Sequence, residues 1–143
     1  MIEITPDKID HDRVISCVRR DSNGAVAVFL GTTRNVTEGR KVLHLEYEAY
    51  RPMADNKLSE VVLEIRQRWS VENIAIVHRI GKLEIGEASL VVAVSTPHRK
   101  DAFLACQYAV DRIKETVPIW KKEYFEDGEV WIESPESLSE FQI

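Results

Sequence analysis

Two short runs of this chain, residues 25–30 and 90–94, are apolar at consecutive positions. Unbroken apolarity over so few residues suits a strand covered on both faces rather than an amphipathic helix. Neither run approaches the ~20 residues needed to span a bilayer. The chain must therefore cover its own strands, and it has material to do so. With 143 residues and 44% hydrophobic side chains, a single domain can close a core without disulfides or a structural metal.

The covering elements can be read outward from these runs. Residues 2–5 form a short first strand closed by Pro6, and Asp10 or Asp12 caps a helix to about Arg20 with Ile9, Val14, Ile15 and Val18 on its apolar side. Residues 21–24 read as a turn and residues 31–41 as a polar, mobile loop. Residues 42–50 alternate, with Leu43, Leu45, Tyr47 and Ala49 on one face. After Pro52, Leu58, Val61, Val62, Ile65 and Trp69 recur at helical spacing. Strands at 73–80 and 88–96 are joined through 81–87. A helix from about 99 to 117 turns Ala102, Phe103, Cys106, Val110, Ile113 and Val117 inward until Pro118 ends it. Strands at 119–125 and 129–133 flank Asp127-Gly128, a hairpin signal.

This gives roughly three helices and six or seven short strands in irregular order, which predicts an α+β fold with mainly antiparallel sheets and a C-terminal β-hairpin. Residues 1–133 are expected to form the domain, and the polar residues 134–143 a flexible tail.

Several function classes lose ground on composition. A net charge of −5 argues against nucleic acid as the main partner. The N-terminus is acidic and has no apolar signal core, so the expected location is cytoplasmic, without a membrane anchor. His11, His44, His78 and His98 show no metal-ligand spacing, and no glycine-rich nucleotide loop occurs, so neither a metal nor another cofactor is expected. Cys106 lies on an apolar helix face, and Cys17 sits mid-helix without a nearby histidine, so neither is expected to be a reactive exposed thiol.

The informative charge is local, between His98 and Lys121. His98, Arg99 and Lys100 stand where a buried strand hands over to a helix, whose first unpaired N–H groups and positive dipole end favour anions. At the far end, Lys114 and Lys121 can converge across the Pro118 corner, which suits proton transfer or nucleophilic work. Arg34, in the glycine-containing segment after Phe29, suits bidentate capture of a phosphate or carboxylate. These residues alone leave open an enzyme, a non-catalytic module that binds a phosphorylated small molecule, and a structural dimer with a solvated basic surface.

Five segments taken in order resemble a known family. They are Gly24-Ala25 through Phe29, Gly31 and Arg34-Asn35; residues 45–50 (LEYEAY) with Met53-Ala54; His78-Arg79-Ile80-Gly81; His98-Arg99 with Ala102-Phe103; and Lys114 followed by residues 118–123 (PIWKKE). Together they resemble the large, catalytic subunit of molybdopterin synthase over residues 1 to 133.

The resemblance implies an α/β-hammerhead-like α+β domain and a sulfurtransferase of molybdenum cofactor biosynthesis. Such an enzyme converts a cyclic pyranopterin monophosphate to molybdopterin, taking two sulfurs from the C-terminal thiocarboxylate of a small ubiquitin-like subunit. It works as a homodimer of large subunits inside a heterotetramer. In this sequence the resemblance implies Lys114 and Lys121 as catalytic, Arg34, His98 and Arg99 as substrate-binding, and Phe29 as an apolar wall near the pocket. A chain without a reactive exposed thiol must receive its sulfur from elsewhere, which agrees with a thiocarboxylate donor.

Overall fold

The computed structural model describes the backbone of residues 1–132 and side chains through Glu129, so the expected tail at 134–143 lies outside the described residues. The elements are β1 (Ile2–Thr5), α1 (His11–Val18), β2 (Ala25–Thr32), β3 (Val36–Thr37), β4 (Arg40–Ala49), α2 (Met53–Arg68), β5 (Asn73–Arg79), β6 (Gly81–Glu84), β7 (Ala88–Thr96), α3 (Arg99–Thr116), β8 (Ile119–Phe125) and β9 (Gly128–Ile132). They build an α+β fold of two sheets. The first has the order β1-β5-β7-β2, and the second β3-β4-β8-β9 with β6 also paired to β4. Only β1 and β5 run parallel among the strand pairs described.

The first sheet is the middle layer. Strands β5 and β7 are buried almost throughout. On one face Val92, Val94 and Ile76 pack with Leu58, Ile65, Ala105 and Ile113 of α2 and α3. On the other, Val91, Ala93 and Val77 pack against Val14 and Val18 of α1. Helix α1 starts where Asp10 accepts a hydrogen bond from the Arg13 amide, an N-cap that satisfies a donor the helix cannot.

Unbroken burial holds for residues 90–94 and fails for residues 25–30. Strand β2 is the sheet edge, Val14 and Val18 of α1 pack chiefly on β5 and β7, and Val26, Val28 and Leu30 of β2 stay 39–41% exposed. Phe103 is a second correction. It is 66% exposed, because α3 meets the sheet through a stripe of small residues, Ala102, Ala105, Cys106 and Ala109, and Phe103 lies off that stripe. A third concerns β4, where an irregularity between Val42 and His44 turns Val42 inward and Leu43 outward before alternation resumes at Leu45.

The expected loop at 31–41 is instead an extension of β2 followed by a tight hairpin. Glu38 (φ 49°) and Gly39 (φ 78°) form the two-residue turn between β3 and β4, with the positive φ pair that such a turn requires. Just before it, buried Thr33 donates its N–H and hydroxyl to the Glu87 carbonyl and accepts from the Gly86 N–H. Arg34 therefore follows an anchored residue. The connection at 81–87 likewise contains a strand, β6, paired to β4. The C-terminal hairpin is present with its turn one residue earlier than expected, Gly128 facing Phe125 across Glu126-Asp127.

Candidate active site

A cavity of about 530 Å³ opens where the end of β2, the last turn of α3 and the inner faces of β4 and β8 meet. Helix α3 carries Lys114 to its rim, Pro118 turns the chain, and β8 returns Lys121 beside Tyr47, its register partner on β4. Phe29 and Arg34 close the β2 side, and Leu90, Ile113, Val117 and Ile119 make an apolar wall. Four of the residues singled out from sequence, Phe29, Arg34, Lys114 and Lys121, thus line one space.

His98 and Arg99 do not. They cap and open α3, whereas Lys114 lies in its last turn, and an 18-residue helix is about 27 Å long. The basic stretch that is continuous in sequence is split by its own helix. Within one chain it cannot be a single site.

Residues 4–116 match the family described as MoaE protein. The chain belongs to the MoaE family. It is 51% identical over 130 residues to the molybdopterin synthase catalytic subunit of Bacillus subtilis, covering 91% of this chain and 83% of that one. The crystal structure of molybdopterin synthase from Staphylococcus aureus superposes with a TM-score of 0.86 at 47% identity, covering 90% of this chain and 94% of its own. A complex of subunits 1 and 2 of molybdopterin-converting factor from Helicobacter pylori shares the fold (TM-score 0.75, 18% identity, 91% of this chain and 88% of that chain).

The cavity of this MoaE-family chain also contains groups that the sequence reading passed over. Tyr47, His78 and Ser89 line it, and Glu123 stands behind it. Glu123 is 2% exposed, its Oε1 lies 3.4 Å from the Lys121 ammonium, and its Oε2 has no hydrogen-bond partner. A signal for it existed: alternation along β8 places Ile119, Lys121, Glu123 and Phe125 on one face, so a carboxylate shares the inward face with the lysine. For Tyr47 and His78 the only sign was membership in the motif segments, and Ser89 had none.

Burial decides the ionisation of this floor. The Tyr47 phenol is held above its usual range, chiefly by desolvation and further by the Glu123 charge, against a hydrogen bond with the Ser89 hydroxyl. Desolvation pushes His78 down to about 4, and its Nδ1 lies 2.8 Å from the Arg79 carbonyl, to which it donates. His78 is therefore neutral around pH 7. Below about pH 6.5 the unfolded chain takes up a proton that the folded chain refuses, so the stability His78 confers above that pH is lost as pH falls toward 4. The contribution at stake is about 3 kcal/mol. Denaturant titrations of wild type and His78→Gln should diverge between pH 7 and 4, with the variant losing less stability.

The thiols fall outside the site. Cys106 is buried against β7 and desolvation raises it to about 11, as befits a core residue. Cys17 is exposed. It sits on α1, which packs on the sheet face opposite α3 and Lys114.

Proposed function

We propose that this chain is the catalytic subunit of a molybdopterin synthase, a sulfurtransferase that inserts two dithiolene sulfurs into a cyclic pyranopterin monophosphate. The observation that carries this reading is the meeting of Lys114 and Lys121 with Arg34 and Phe29 around one cavity in a MoaE fold. The sulfur donor is the C-terminal thiocarboxylate of a small ubiquitin-like subunit. A partner of this kind fits the two-subunit complex that shares the fold.

Lys114 and Lys121 hold the thiocarboxylate and the tetrahedral intermediates and move protons between them. Arg34, with His98 and Arg99, holds the cyclic phosphate and the anion that develops as its ring opens. Phe29 provides an apolar wall. No metal or other cofactor is assigned to this step. Residues 1–133 act as one domain. A cytoplasmic location suits a soluble substrate and partner, and no described helix is long and apolar enough to cross a membrane.

Two large subunits pair at the centre of a heterotetramer. Two features support the pairing. His98 and Arg99 can meet Lys114 only from a second copy, and Val26, Val28 and Leu30 form an exposed apolar stripe on an edge strand.

Mixing the chain with thiocarboxylated small subunit and the cyclic pterin should yield the dithiolene pterin, and an inert mixture would remove the enzyme reading. Shared sites add a sharper expectation. Lys114→Ala and Arg99→Ala chains, each nearly inactive, should recover turnover when mixed and allowed to exchange subunits. Failure of the mixture to exceed its parents would place His98 and Arg99 outside the site.

A further inference from the structure

Among the groups lining the cavity, His78 presents an uncommitted acceptor. Its ring packs edge-on to Tyr47, with centroids 5.2 Å apart and planes at 70°. Nδ1 donates to the carbonyl of the next residue, Arg79, which places the proton on that nitrogen and leaves Nε2 as a bare lone pair on the far side of the ring. No described residue donates to Nε2, and Nε2 is not among the sealed, unpartnered atoms, which are Arg79 Nε and Glu123 Oε2. The ring as a whole is only 7% exposed and lines the cavity. An acceptor that is unmatched within the protein and opens on the cavity calls for a donor from the occupant.

We propose that His78 Nε2 accepts a hydrogen bond from an uncharged N–H of the ligand seated in this cavity and so sets that ligand's orientation. The inference rests on the function proposed above. Two components of that reaction carry such a donor: the backbone amides of the partner's C-terminal tail and the ring N–H groups of the pterin. Neither needs a charge on His78, and a neutral acceptor does not compete with Lys114, Lys121 and Arg34 for the anionic ends. Tyr47 and Ser89, which line the same cavity, complete a floor that orients without adding charge.

Two side chains separate the halves of the imidazole. Glutamine reaches the Nε2 position with an acceptor, whereas asparagine reproduces only the Nδ1 donor to Arg79. His78→Asn should raise KM for one of the two components about tenfold with kcat nearly unchanged, and His78→Gln should restore most of it. The component whose KM moves is the donor. The second measurement uses the wild-type chain with 15N-labelled histidine, so it does not depend on a variant folding. Adding the small subunit in its carboxylate form, or the cyclic pterin, should shift the His78 Nε2 resonance with one of them.

Equal behaviour of the Asn and Gln variants in an otherwise active enzyme, or an Nε2 resonance unmoved by either component, would overturn the role of His78. Failure of wild type to turn over would instead overturn the function on which it rests.

Discussion

Replacing Lys114 with alanine is expected to lower the single-turnover rate of dithiolene formation by about 10²–10³-fold, the usual loss when one preorganised stabiliser of a developing anion is removed. Stability should hardly change. Lys114 is exposed and makes no hydrogen bond or ion pair with any described residue, so its only structural contribution is a favourable charge in the last turn of α3, about 0.3–1 kcal/mol. That contrast separates the two roles a lysine can have there. A cation that merely complements the helix dipole would give a slightly less stable chain with full turnover. A cation that faces the thiocarboxylate gives a folded chain that does not turn over. Lys114→Arg keeps the charge but replaces a compact ammonium by a broad planar fork, and should recover only part of the rate. Wild-type rates for Lys114→Ala would end the assignment.

Legibility followed coverage. Strand β7 and helices α2 and α3 are covered on known sides by other elements, so their apolar spacing is the pattern their burial demands, and Asp10 and Pro118 mark ends through backbone chemistry that acts locally. Strands β3 and β6 are only two and four residues long and are held by pairing to β4, a long-range fact with no local spacing to announce it. The outward stripe of β2 and the exposed Phe103 look like core residues because apolarity does not say which neighbour supplies the cover. The same holds for the site. The lysines on either side of Pro118 were legible because a proline corner folds the chain back on itself within a few residues. His98 and Arg99 are near Lys114 in sequence, but a rigid helix turns that nearness into distance. The ionisation of His78 depends on burial by distant strands, which a lone histidine in a strand does not reveal.

Lys121→Ala should behave differently from Lys114→Ala, losing stability as well as turnover. Glu123 is buried beneath it, with one oxygen already unpartnered and the other facing only the Lys121 ammonium among the described residues. Removing the lysine strands a carboxylate away from water. Breaking a buried pair in this one-sided way costs about 3–5 kcal/mol. The Lys121 side chain is itself 29% exposed, so some of the charge is already met by solvent and about 2–3 kcal/mol is the expected loss. The remedy tests the cause. Adding Glu123→Gln to Lys121→Ala removes the stranded charge and should recover much of the stability, as a double-mutant cycle in denaturant would measure. It should recover none of the turnover, because the ammonium that faces the cavity is still missing. If both variants proved equally unstable, the loss would come from packing along β8 rather than from the carboxylate. A double variant that regained activity would show that Lys121 serves only to neutralise Glu123.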